Sequence, residues 1–397
     1  MTRRLRYENR ILLALALGWA TLQCGRFLLP PLLPRITETL SFSPAGIGAA
    51  LTAFGLVYAV VQYPSGTYSD ELSRATLIVP GFGVLVVGFV AIALSVTAAL
   101  FVGAVVVLGI GKGLFASPSR ALLGDLFTAR RGRALGIYSA GTDVGGVLAS
   151  GLAVAVLATT VWQVAFLPVI VVLTLVGVLY VLWNREPYER ARVELSPGET
   201  AGRLVATRDQ RETLVAFSIF YFFVGGLTNF FPTLLVSGGF SETVASGSFA
   251  LLFGAGILAK PVAGDLSDRF PRLLVGVCGL LVSLVGTALV LVAPSLPVIA
   301  VGTVLTALGY KSGFPIADTV VMEAAPDGSM GSDVGASRAV FLTANALGPG
   351  FVGIVAQQAG FTTAFWALAG SLLISVALLA RQYRRHRRER APAAQPR

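Results

Sequence analysis

The chain has 397 residues, of which 55% are hydrophobic and only 13% charged, and its formal net charge is +10. A water-soluble domain carries about 25% charge, so a surface facing water throughout is excluded and one facing hydrocarbon is indicated. Two cysteines (Cys24, Cys278) and a single histidine (His386) leave no disulfide framework, no metal-ligand cluster and no histidine-based chemistry, so no metal, cofactor or catalytic residue is expected.

A transmembrane helix needs about 20 mostly apolar residues. In chain order, such runs fall at 11–33, 45–65, 75–96, 98–120, 134–157, 162–183, 212–236, 243–263, 273–293, 297–320, 336–357 and 361–382. They are long and lack two-residue alternation, which selects helices over barrel strands. The first run follows MTRRLRYENR and has the look of a signal peptide; it is read as retained, because the internal repeat described below requires it.

Arginine sets the orientation. Positive segments stand at 1–10, at 130–133 (RRGR) and at 381–390 (RQYRRHRRER), while the alternate connections SVTAA, ATTVWQ, APSLP and QQAGFTT carry no charge. The positive-inside bias therefore places both termini in the cytoplasm, and an even number of spans agrees. The excess of positive charge reflects this topology, and nucleic acid is not an expected partner.

Residues 184–211 form the one long polar connection, with both signs of charge, Pro and Gly, and read as a cytoplasmic linker. The organisation expected is an N-terminal six-helix bundle at 1–183, the linker at 184–211, a C-terminal six-helix bundle at 212–383 and a basic cytoplasmic tail at 384–397. The halves echo each other. Gly66 maps to Gly264 and Asp70 to Asp268 at an offset of 198, and Asp125 maps to Glu323 at the same offset. Ala165-Phe166 maps to Ala364-Phe365, and Lys112 to Lys311, at 199. Parallel six-span repeats about an axis along the membrane normal are a transporter architecture. The fold class expected is thus an all-α membrane protein of twelve transmembrane helices in two pseudo-symmetric six-helix bundles.

The loops after the second and eighth spans read PSGTYSDELSR and VAGDLSDRFPR. Their residues Gly66, Asp70 and Arg74, and Gly264, Asp268, Arg269 and Arg272, resemble the loop motif G-x-x-x-D-R/K-x-G-R/K of the major facilitator superfamily, and the resemblance covers essentially the whole chain. It implies that these loops latch the two halves together on the cytoplasmic side. The first copy has Glu71 where the family usually has a cation. In the second span, Phe54, Tyr58, Gln62, Pro64, Gly66 and Asp70 resemble the organic anion symporters of that superfamily, which also carry basic residues in spans 1 and 4, where Arg26 and Lys112 stand. This chain has Gly25 and Ser119 where those relatives usually place acids.

The chain has only three lysines, Lys112, Lys260 and Lys311, against 27 arginines, and all three lie in spans. Lys112 and Lys311 fall about 12 Å from the inner ends of spans 4 and 10, at 1.5 Å per residue. In the resembled fold, spans 1, 4, 7 and 10 line the central cavity, so Arg26, Lys112 and Lys311 stand on three cavity helices and would attract an anion. Tyr58, Asn229 and Tyr310, with Tyr221, are the expected polar lining. Asp143 is the one acid placed deep in a span, and it is a candidate both for proton coupling and for a structural pair with Lys112. Lys260 stands near an inner end and is expected to snorkel.

These readings converge on a monomeric secondary active transporter of the plasma membrane that moves a small, organic anion by alternating access, with a gradient as its energy source. Efflux of hydrophobic compounds, and a membrane sensor that does not transport, are the alternatives.

Overall fold

The computed structural model describes residues 7–157, 161–188, 207–293, 295–324 and 330–390, with Asp70 and residues 322–324, 330–335 and 389–390 placed by their backbone alone. Most of the expected linker at 184–211, and the tail beyond 390, lie outside these residues. The described chain is helical: α1 (Tyr7–Thr39), α2 (Pro44–Glu71), α3 (Ala75–Ala93), α4 (Ala98–Leu126), α5 (Arg131–Leu157), α6 (Leu167–Trp183), α7 (Arg208–Ser237), α8 (Glu242–Arg269), α9 (Arg272–Val292), α10 (Leu296–Ala324) and α11 (Met330–Arg390). Eleven segments are long and apolar enough to cross a membrane, among the described residues.

The count differs from the twelve expected at one place. The runs 336–357 and 361–382 both lie within the continuous segment α11, in which two helices meet at a kink at Gly360, whose φ of 83° and ψ of 162° are not helical. A lone glycine can take that conformation without a Cβ clash. The connection QQAGFTT, uncharged but polar, surrounds this kink.

Turn chemistry sets the other boundaries. Ser43 caps α2, its Oγ accepting from Gly46 N at 3.0 Å, with Pro44 in the first helical turn. Thr97 caps α4 by accepting from Leu100 N at 3.3 Å. The turn after α1 holds Ser41 at φ 55° and the turn after α7 holds Gly239 at φ 88°, so the same backbone device recurs 198 residues on.

Burial sorts the helices. Every residue from 22 to 33 in α1 and from 223 to 232 in α7 is buried. A helix apolar and buried all round is enclosed by protein on every side. In contrast α6 exposes Val171, Leu175, Val178 and Leu182, a face suited to lipid. Small residues let backbones approach, since apolar burial alone gives no driving force between helices in hydrocarbon. A Cβ on Gly145 of α5 would stand 2.7 Å from the Ala20 carbonyl of α1, and one on Gly302 of α10 would stand 2.9 Å from the Gly286 carbonyl of α9.

The chain forms two compact units. One comprises Met1–Leu195, Gly225–Gly254 and Ala346–Ala364, and the other Ser196–Val224, Ala255–Asn345 and Phe365–Arg397. Within the first, the helix ends remote from the linker are tied together. Arg35 pairs with Glu242 at 3.0 Å, Gly350 N donates to Thr52 Oγ1 at 2.8 Å, and Ala45 N donates to Gln357 Oε1 at 3.2 Å. Within the second, Glu212 receives Arg208, Arg381 and Arg385, at 3.0, 2.7 and 2.8 Å, and Arg385 also pairs with Asp209.

Candidate functional site

In the first unit, α1 presents Trp19, Gln23 and Arg26 at steps of four and three residues, hence along one face. Trp19 is fixed by stacking on Tyr138, with ring centroids 5.2 Å apart, and by donating from Nε1 to Thr142 Oγ1 at 2.9 Å. Arg26, 9% exposed, donates from Nη2 to Asn229 Oδ1 at 3.5 Å, and its guanidinium carbon lies 4.4 Å from the Phe27 ring centroid. Asn229 is held in turn by donating to the Gly225 carbonyl at 2.7 Å.

Lys112, 8% exposed, points its ammonium into rings: 4.3 Å to the Tyr58 centroid, 5.5 Å to Phe54 and 5.9 Å to Trp19. Phe54 also lies 6.0 Å from the Arg26 guanidinium carbon, so one ring borders both cations. The faces of these rings offer negative quadrupole, which partly replaces the lost water. No carboxylate lies within 4.0 Å of Lys112 among the described residues, and the charged groups that act on it are two more cations, Arg26 and Arg120. The Lys112–Asp143 pair that the sequence left open is therefore not formed. Asp143 is buried on α5, 2% exposed, next to the Thr142 that Trp19 engages.

Sequence reasoning placed Arg26, Lys112, Tyr58 and Asn229, and the structure brings them together. It passed over Arg120, whose guanidinium lies 5.4 Å from the Trp19 ring. The signal was present: Arg120 follows Lys112 by eight residues, about two helical turns, which repeats the same face. Gln23 was also passed over. Its Oε1 is fully buried with no hydrogen-bond partner among the described residues.

In the second unit, Lys311 is 3% exposed, and its ammonium lies 5.1 Å from the Tyr310 ring. Gly256 of α8 makes room for its stem, because a Cβ there would stand 2.8 Å from Lys311 Cε. Tyr310 and Tyr221 both pack on Phe314, at 6.1 and 5.3 Å. Asp318, two turns from Lys311, pairs with Arg338 at 3.6 Å. Lys260 is half-buried on α8.

The motif loops show local bonding. Arg74 pairs with Asp125 at 3.2 Å and also donates to the Ser69 hydroxyl at 3.0 Å. Arg269 pairs with Asp265 at 3.0 Å on the exposed end of α8, where Asp268 is exposed as well. Arg272 is half-buried at the start of α9. A Cβ on Gly66 or Gly264 would meet nothing within 4 Å.

A set of long apolar helices that holds buried cations at Arg26, Lys112 and Lys311 is the mark of a polytopic membrane protein. The family model of the Major Facilitator Superfamily matches residues 15–258 and 213–397, and the chain belongs to that superfamily. It is 24% identical over 378 residues to the hexuronate transporter of Bacillus subtilis (strain 168), covering 87% of each chain. It is 28% identical over 326 residues to a probable 4-methylmuconolactone transporter of Cupriavidus pinatubonensis, covering 75% of this chain and 70% of that one. A bacterial homologue of the human lysosomal transporter Spinster has the same fold, with a TM-score of 0.81 at 21% identity, covering 98% of this chain and all of the other. The protein is thus a multi-pass membrane transporter of a small-molecule substrate, not an enzyme.

Proposed function

We propose that the protein carries a small organic anion across the plasma membrane by alternating access, as a monomer with both termini in the cytoplasm. One observation carries the reading: the Lys112 ammonium is buried among rings and further cations, with no carboxylate at ion-pair distance among the described residues. A buried cation without a counter-ion is a place for an anionic cargo. Arg26 and Lys112 bind the acid group and Tyr58 and Asn229 border it; Lys311 with Tyr310 is a candidate anion contact within the other unit. The buried Gln23 Oε1 offers an acceptor to a donor group on the cargo. The cargo named for the Bacillus relative, a hexuronate, is itself a carboxylate, which supports the same class.

Three finer assignments belong to the same proposal. The chain crosses the membrane twelve times, the Gly360 break separating the eleventh crossing from the twelfth. The two six-helix halves, 1–183 and 212–383, move against each other, and the loops holding Gly66, Asp70, Arg74, Gly264, Asp268, Arg269 and Arg272 latch them at the cytoplasmic side. Asp143 carries the coupling proton.

The test is counterflow in reconstituted vesicles with a panel of carboxylates, phosphates, inorganic anions and lipophilic cations, run on wild type and on Lys311→Ala. An anion should exchange in wild type and fail in the variant at unchanged expression and melting temperature. Exchange of lipophilic cations alone, or wild-type anion exchange by Lys311→Ala, overturns the assignment.

A further inference from the structure

Two buried amides show the usual arrangement. Gln382, 2% exposed, donates to Thr213 Oγ1 at 3.0 Å, and Asn229 donates to the Gly225 carbonyl at 2.7 Å while accepting from Arg26. Gln23 departs from it. It is 4% exposed, and its Oε1 is fully buried with no hydrogen-bond partner among the described residues. Such an acceptor is costly to leave unpaired, and a buried polar atom without a partner marks a place where something else supplies one. Gln62 of α2 also has an enclosed Oε1, but its side chain is half-buried, so the stronger demand falls on Gln23.

Its place on α1 says what that partner is. Gln23 stands one turn beyond Trp19, whose ring lies 5.9 Å from the Lys112 ammonium, and one turn before Arg26. Three residues of helix separate it from Arg26, about 4.5 Å along the axis. The root of the side chain is held by α5, because a Cβ on Gly145 would stand 2.9 Å from Gln23 Cβ. A positioned acceptor therefore lies within one helical turn of the cations that take the acid group. It needs a donor. A carboxylate has none to give, and neither has an ether or a ketone. An ammonium would be repelled by Lys112, which has no carboxylate at ion-pair distance among the described residues. A hydroxyl is the smallest neutral donor, and an enclosed atom admits a small one.

Resting on the anion site proposed above, we infer that Gln23 is a specificity-determining residue: its Oε1 accepts a hydrogen bond from a hydroxyl of the cargo, and the carrier takes hydroxylated carboxylates in preference to their deoxy counterparts. An analogue without the hydroxyl leaves the buried oxygen unpaired. A site built around such a bond discriminates far more sharply than an apolar pocket, which gains or loses only a contact.

The experiment follows the melting temperature of the purified full chain in detergent while matched acids are titrated. Lactate, 3-hydroxybutyrate, mandelate and gluconate are set against propionate, butyrate, phenylacetate and hexanoate. Pyruvate, acetoacetate and phenylglyoxylate are the keto counterparts, and alanine, 3-aminobutyrate and phenylglycine the amino ones. A hydroxy acid should reach its half-maximal shift at a concentration at least about tenfold below its counterparts. In Gln23→Met, which keeps the length of the side chain, hydroxy and deoxy acids should coincide. The ligand-free melting temperature should not fall there, since Oε1 has no bond within the described chain to lose. Gln382→Met breaks the bond to Thr213 instead, so it should lower the melting temperature and keep the hydroxyl preference. Equal action of hydroxy and deoxy acids on wild type overturns the hydroxyl assignment and leaves the anion site standing, and that comparison decides even if Gln23→Met folds poorly. A keto acid that binds best, or a hydroxyl preference that survives Gln23→Met, overturns it as well. If no carboxylate shifts the wild type, the anion site itself fails and the hydroxyl assignment falls with it.

Discussion

A cation held inside a bilayer costs about 2.5–3.5 kcal/mol on insertion scales, and Lys112 lacks the usual relief of a carboxylate at ion-pair distance among the described residues. The Tyr58 and Phe54 rings return part of that cost, about 0.5–2 kcal/mol for a desolvated contact. The remainder is a standing destabilisation that an anionic cargo removes when it binds. Lys112→Met keeps the length and apolar contacts of the side chain and deletes the charge, so the ligand-free protein should gain about 1–2 kcal/mol and melt a few degrees higher. Anion counterflow should fall at least about tenfold, and the cargo should no longer raise the melting temperature. A lower melting temperature in Lys112→Met would show instead that the charge is compensated within the protein. The cations of this site were legible in the sequence because charge in an apolar span is rare enough to be noticed singly. Trp19, Gln23 and Phe27 were not singled out, because an aromatic or amide within an apolar run looks like any packing residue. Only the fold shows that Trp19 borders Lys112 and that Arg26 lies on Phe27.

The helices obey the same contrast between what a pattern marks and what packing decides. Their existence and their order follow from the lengths of the apolar runs, and the repeat extends to the paired turns at Ser41 and Gly239, which the structure adds at the same offset. The break at Gly360 also falls between the runs 336–357 and 361–382 that the sequence separates. The closure at the helix ends remote from the linker was hidden. There Gly353 of α11 lies so near α2 that a Cβ would strike the Pro44 carbonyl, with Gly48 Cα 3.1 Å away. Backbone cannot yield as a flexible side chain can, so Gly353→Val should force α2 and α11 apart at this end. Side chains cannot restore the contact, since Gly350–Thr52 and Ala45–Gln357 depend on the same approach. Transport should drop more than about tenfold, and a cysteine placed at Thr52 in a Cys278→Ser background should react faster with an impermeant maleimide. Unchanged labelling would mean that the approach of α2 and α11 is not a closure that transport must open and remake.

At the scale of the whole molecule, coupling requires that a protonation state bias which side the cargo site faces, so it cannot be read from one contact. Asp143 is the group proposed for that role, and its position makes the test clean. It is buried on α5, beside Gly145, whose closeness to the Ala20 carbonyl presses α5 onto α1, the helix that carries Arg26. A charge change at Asp143 thus acts on the contact between the helix of the proposed proton site and the helix of the proposed cargo site. Because Lys112 is not at ion-pair distance from it, Asp143→Asn strands no lysine, and the proton role predicts a melting temperature within about two degrees of wild type. The amide mimics the protonated acid, so a carrier that runs loaded in both directions should still exchange labelled for unlabelled cargo. What should fail is net uphill accumulation driven by a proton gradient, because the return step no longer depends on proton release. The deciding measurement pairs counterflow with gradient-driven accumulation in the same vesicles. Accumulation at the wild-type level in Asp143→Asn removes the proton from this residue. Loss of both activities together with a fall in melting temperature makes the carboxylate a structural group, and leaves the coupling to another residue.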